Sequence, residues 1–188
     1  MKRQNCVLLA GIAAVAAVLL IASSSAQSGP QSYKLEGAWT ASMPGMPFHW
    51  TYIATPTDPS GRKAVIKGQF VVPIPSQFLV PELANQEYST EFYGEGEMIG
   101  ADTARVTVMW YGMKSGVPIP EIVNIGVSVS EAKFIGPNKM EVKHRMAFYP
   151  PNATGIVTAD DTPFLVYPEV VTSIDTRMSL LPISALAK

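Results

Sequence analysis

The side chains with the most obvious chemistry are two histidines, His49 and His144, and a single cysteine, Cys6. Imidazoles and thiols carry proton transfer, metal ligation and nucleophilic attack near neutral pH. A histidine-based zinc site needs several convergent ligands, and two isolated imidazoles supply too few, so neither a metal nor another cofactor is expected. Glutamates at 87, 91, 95 and 97 offer paired carboxylates. Their even spacing puts all four on one side of a strand, which reads as a solvated face rather than an acid–base pair. Asp160-Asp161, with Glu169 further on, could offer oxygen ligands, but the spacing matches no calcium loop. Asn152-Ala153-Thr154 is a glycosylation sequon whose use depends on the host. No phosphate-binding loop, HExxH, Gly-x-Ser-x-Gly or dinucleotide fingerprint occurs. That leaves His144, which alternates with Val142, Met146 and Phe148. An imidazole on that apolar face must find a hydrogen-bond partner or a ligand. It is either a core histidine satisfied by a neighbouring hydroxyl or a polar anchor in an open cavity.

Cys6 begins an uncharged apolar run that follows Met1-Lys2-Arg3, extends to Ala22 and gives way to Ser23-Ser24-Ser25-Ala26. This pattern reads as a secretory signal peptide over residues 1–26, with small residues at Ser24 and Ala26 suiting a signal peptidase. The alternative is an uncleaved N-terminal membrane anchor, at the short limit for a span. Cleavage before Gln27 trims the 188 residues by 26, to 162, and leaves 12 basic against 15 acidic side chains and no cysteine. Thiol chemistry and disulfides are then excluded. A domain of that size can be stable through its core alone. The acidic balance argues against nucleic acid as a partner, and no basic patch interrupts it. The expected destination is periplasmic or extracellular, with no membrane insertion after cleavage.

Residues 27–34 read as a flexible polar arm, and 35–188 as one domain dominated by period-two alternation. Eight strand-like segments follow one another. The first places Leu35, Gly37, Trp39, Ala41 and Met43 on one face, the second Phe48, Trp50, Tyr52 and Ala54. After a turn at residues 57–61, the third places Ala64, Ile66, Gly68, Phe70 and Val72 inward. The fourth is expected to run unbroken through Tyr88, Thr90, Phe92, Gly94, Gly96 and Met98, and the fifth through Ala104, Val106, Val108, Trp110 and Gly112. In the sixth, Val123, Ile125, Val127 and Val129 are expected inward and Asn124, Ser128 and Ser130 outward, with a bulge restoring the phase at Ala132 and Phe134. The seventh aligns Met140, Val142, His144, Met146 and Phe148, and the eighth runs from about Thr172 to Leu181. Only residues 77–85 suggest a helical turn, limited by Pro81.

Eight sequential strands joined mostly by short turns favour an all-β, antiparallel up-and-down barrel, which removes its edges by closing; a β-sandwich is the alternative. An eight-stranded barrel is filled by side chains or holds one small ligand. The inward set mixes large rings with glycines, which suits a pocket as well as a packed interior. Trp50, Tyr52, Phe70, Tyr88, Phe92, Trp110, His144 and Met146 are the candidate ligand-binding residues. Segments 73–85, 114–120 and 149–168, which hold most of the prolines, are expected to form the rim.

Gly37-Ala38-Trp39 at the start of the first strand resembles the opening motif of the lipocalins and the wider calycin group. The resemblance implies that Trp39 plugs the closed end of the barrel and that Arg177, from the last strand, packs on its ring, giving Gly37, Trp39 and Arg177 structural roles. No Thr-Asp-Tyr-like motif, C-terminal helix or disulfide accompanies them. The reading is an exported monomeric barrel binding a small apolar molecule, without covalent chemistry. Two alternatives stay open. One is a cyclase- or isomerase-like enzyme resembling the allene oxide cyclase and dirigent barrels, using His144 and a second titratable group within hydrogen-bond reach. The other is a packed envelope β-domain acting through surface contacts, with no interior cavity.

Overall fold

The computed structural model describes residues 33–45, 48–71, 81–116 and 118–179. The signal segment, residues 27–32 of the arm, Val72 at the end of the third expected strand, residues 73–80 of the first rim segment and the end of the eighth expected strand beyond residue 179 lie outside the described residues.

Ten strands follow in order: β1 (Gly37–Ser42), β2 (His49–Pro56), β3 (Lys63–Phe70), β4 (Tyr88–Ser89), β5 (Phe92–Met98), β6 (Thr103–Lys114), β7 (Glu121–Gly136), β8 (Lys139–Tyr149), β9 (Leu165–Val166) and β10 (Val171–Arg177). Each barrel strand pairs antiparallel with the next, and β10 pairs with both β8 and β1. The sheet therefore closes on itself. Eight strands make the wall, while β4 and β9 are short additions paired to β6 and β8. Closure removes the free edges that a sandwich would leave.

Tight turns gather at one end. Between β2 and β3, Asp58 accepts from the Lys63 amide at 2.9 Å, and Gly61 supplies the φ of 68° that the turn requires. Between β7 and β8, the Asn138 carbonyl accepts from the Arg177 amide at 2.9 Å. That end is sealed by Trp39, fully buried, whose indole N–H donates to the Leu35 carbonyl at 2.9 Å. The Arg177 guanidinium lies 4.7 Å from the ring centroid and donates to the Lys34 carbonyl at 2.8 Å. Tyr33 stacks on Phe134 with centroids 4.7 Å apart, so packing begins just before Leu35. Cation–π contact, ring stacking and burial all fix the same plug. The strand ends at Ser42, Phe70, Lys114 and Tyr149 lie at the opposite end.

The alternation places side chains as expected in β1, β2, β3, β6 and β8, and Glu87, Glu91, Glu95 and Glu97 are all exposed. From β3, Lys67 bridges to Glu91 just before β5 at 3.0 Å and Lys63 to Glu97 on β5 at 3.8 Å. These are solvated pairs of small energetic weight.

Two strands differ from expectation. The fourth segment is broken: pairing with β6 slips by one residue between Ser89 and Tyr93, where Thr90 Oγ1 accepts from the Tyr111 amide at 3.1 Å. In the sixth segment, β7, the phase is reversed. Asn124, Ser128, Ser130, Ala132 and Phe134 are buried, while Val129 is 45% exposed and Val127 half-buried. No bulge falls between Ser130 and Ala132; the irregularities lie at Ile122–Asn124, opposite Gly112/Met113, and at Phe134/Gly136. Valines on β7 face outward because the inner serines have polar partners there. Ile125, also on the outer phase, is fully buried between Tyr111 and Tyr149 in register. The β8–β9 connection covers that face, with the Tyr111 hydroxyl donating to the Gly155 carbonyl at 2.9 Å. The expected helical turn survives as a 3-10 turn over Pro81–Leu83.

Candidate functional site

A cavity of about 480 Å³ runs along the barrel interior. Its floor is Leu35, Met140 and Ile66 near the plugged end, and its mouth is edged by Met43, Pro44, Leu83, Tyr167 and Glu169. Most of the lining is aromatic or aliphatic, the character of a small-molecule site. Trp50, Tyr52, Phe70, Phe92, Trp110, His144 and Met146 all border it. Tyr88 does not: with β4 offset by the slip, Ser89 takes the cavity position that unbroken alternation assigned to Tyr88 and Thr90.

The rings form a connected wall because each strand presents one where its neighbour leaves room. Phe48, Phe70, Phe92 and Trp110 follow with Phe70 5.7, 5.3 and 5.6 Å from the other three centroids, and Trp110 meets Phe148 edge-on at 6.0 Å. Gly126 makes the Trp110 position possible. A Cβ built there would run into the indole. Gly126→Ala must push the ring toward the cavity, so the variant is expected to lose about 1–3 kcal/mol in urea unfolding and to bind apolar probes more weakly. Unchanged stability and unchanged probe affinity together would refute this account of the wall.

Against this wall stands one polar chain, contributed by β2, β7, β8 and β10. His144 Nδ1 is 2.8 Å from Ser130 Oγ, and Nε2 is 2.9 Å from Ser173 Oγ. Ser173 donates its only hydroxyl proton to Asp175 Oδ1 at 2.6 Å, and the Tyr52 hydroxyl donates to Asp175 Oδ2 at 2.7 Å. The direction of the chain follows from these two donors. With the Ser173 proton engaged, its oxygen accepts from His144 Nε2–H, so Nδ1 accepts from Ser130. Ser128, 3.1 Å from Ser130, then donates to it. The imidazole is neutral and fixed in one tautomer.

Burial sets the electrostatics of the chain. Desolvation pulls His144 down from the usual imidazole value of 6.5 to about 4. Desolvation raises Asp175 from 3.8 to about 6, against the lowering effect of the Ser173 and Tyr52 hydrogen bonds. Tyr52 is held well above 10, first by burial and then by the adjacent Asp175 carboxylate. Asp175 is 2% exposed, and sequence reasoning missed it. The signal was present: the strand phase that puts Arg177 on Trp39 also puts Ser173 and Asp175 inside.

A second buried polar group, Gln86 with Asn124 at 2.9 Å and Ser89 at 2.7 Å, braces the mouth side of β6 and β7. His49 is exposed, as are Asp160 and Glu169, and Asp161 accepts from Thr158 within its loop. Asn152 is exposed in a loop where its amide donates to the Ile156 carbonyl. Among the described residues no three His, Cys, Asp or Glu side chains converge to hold a metal. Comparison with protein-family models, with curated proteins and with solved structures gave no match.

Proposed function

We propose that this chain is an exported, monomeric, lipocalin-like barrel that binds a small apolar molecule in its open-ended interior, without covalent chemistry. The observation that carries this reading is the 480 Å³ cavity, well above the roughly 300 Å³ at which ligand pockets begin. The plugged end supports the lipocalin-like assignment: Gly37 opens β1, Trp39 is buried beneath it and Arg177 lies on the indole. Export rests on the basic start, apolar run and small-residue boundary of residues 1–26.

The alternatives are less well supported. A packed envelope domain needs a filled interior. An enzyme using His144 needs a second titratable side chain within hydrogen-bond reach, whereas serines occupy both nitrogens and Asp175 is reached only through Ser173.

A neutral naphthyl fluorophore titrated into the full-length protein tests the reading. Saturable enhancement at one site per chain is expected, with Trp50 and Trp110 quenched in parallel. Native mass spectrometry of protein from its own host should show a retained small molecule. If no neutral apolar probe binds saturably, the reading fails.

A further inference from the structure

We propose that the ligand of this cavity is a lipophilic amine, whose apolar body lies against the aromatic wall and whose cationic head is held by Asp175. The inference rests on the binding reading above and adds the charge of the ligand. Its basis is an imbalance in the lining. Among the described residues, the ionisable side chains bordering the cavity are Asp175, Glu169, His144, Tyr52 and Tyr167, and no Lys or Arg is among them. Residues 72–80, between β3 and the 3-10 turn, add none, since their sequence carries no charged side chain. Among the described lining residues an anionic ligand would find two carboxylates and no cation.

Among the described residues Asp175 has no internal counter-ion. The groups facing it are Tyr52 on β2, His144 on β8 through Ser173, and Arg177 two residues along β10. Tyr52 and Ser173 are neutral donors. His144 is neutral in the tautomer that the chain imposes. The Arg177 guanidinium lies over Trp39, is bound to the Lys34 carbonyl and is absent from the lining. A carboxylate that is 2% exposed without a cation is costly to keep ionised. Its raised pKa reflects the same strain. A carboxylate has lone pairs beyond the two already engaged, and an ammonium would occupy them as a charge-assisted bond. Trp50, Tyr52 and Phe70 line the same cavity, and an aromatic face attracts a cation that comes to lie over it. Glu169 at the mouth adds attraction on entry.

The test compares three probes with one alkyl chain, octylamine, octanol and octanoate, by displacement of the naphthyl fluorophore from the full-length protein near neutral pH. Octylamine is expected to bind about tenfold or more tighter than octanol, and octanoate more weakly than either. In Asp175→Asn the amine should fall to within about threefold of the alcohol, with alcohol affinity little changed. Glu169→Gln should move amine affinity by less than about threefold. Should Asp175→Asn fail to fold, a pH series on the wild type decides: amine affinity must drop as Asp175 protonates, while octanol affinity stays flat. If octanol binds and octylamine is not preferred, the charge assignment is overturned and the apolar pocket survives. If neither these probes nor the fluorophore binds, both readings fall.

Discussion

Trp39→Ala is expected to cost about 3–5 kcal/mol of stability, the largest single-residue loss in the barrel. The indole is fully buried, so its removal leaves a cavity at the plugged end rather than a surface dent. Three further contacts disappear with it: the hydrogen bond to the Leu35 carbonyl, the stacking with Tyr52 at 6.4 Å and the edge contact with Phe134 at 6.1 Å. Arg177 also loses the ring beneath its guanidinium, and its Nε, already without a partner, is left facing the void. Trp39→Phe keeps an aromatic ring but not the N–H, and should cost roughly half as much. Urea unfolding followed by circular dichroism measures both. A loss below about 1 kcal/mol for Trp39→Ala would mean that the closed end is held by the β-ladder alone.

The plug was anticipated through the lipocalin resemblance, which a Gly-x-Trp opening a strand and an arginine near the end of the last one carried. The barrel was legible from local signals. Strand phase, turn chemistry at Asp58 to Gly61 and sequential order suffice to predict an antiparallel meander, and eight such strands close. What escaped were places where polarity runs against position. In β7 the apolar residues Val127 and Val129 face outward and the serines inward, the reverse of what periodicity implies. The inversion is stable because Ser128 and Ser130 are not orphaned: they terminate a hydrogen-bonded chain through His144. A buried polar residue is affordable only with a partner, and the partners lie on β8 and β10, distant in sequence. For Asp175 the inward phase was readable from Arg177, but its partner Tyr52 on β2 was not. The slip that removed Tyr88 from the lining is likewise set by how β4 pairs with β6, not by its own residues.

These hidden features together form the site. The alternating apolar residues build a container, and residues that break the apolar pattern, Ser128, Ser130, Ser173 and Asp175, join His144 and Tyr52 in a hydrogen-bonded polar stripe. Their cluster on one wall gives an otherwise apolar cavity a direction: a ligand with one polar end is oriented by it, whereas a featureless hydrocarbon is not.

That stripe should also reveal itself through pH, though in the wild type its two ionisable members conceal each other. His144 has a pKa of about 4 folded against 6.5 unfolded. Above 6.5 neither state binds the proton. As pH falls from 6.5 toward 4 the unfolded chain takes it up first, so stability is lost across that window, by roughly 3 kcal/mol in full. Asp175 runs the other way. Its carboxyl has a pKa of about 6 folded against 3.8 unfolded, so between those values the native state binds the proton first. Stability is therefore gained as pH falls through 6 toward 3.8, again by roughly 3 kcal/mol. The windows nearly coincide and the contributions oppose each other. Removing one partner should expose the other. Between pH of about 7 and about 4, His144→Gln should become more stable relative to wild type, because only the Asp175 contribution remains. Asp175→Asn should become less stable relative to wild type by a similar amount. Urea unfolding of the three proteins at both pH values gives the differences directly, and common surface carboxylates cancel in the comparison. If both variants track the wild type within about 0.5 kcal/mol across this range, the histidine and the aspartate are not desolvated as the hydrogen-bonded chain requires.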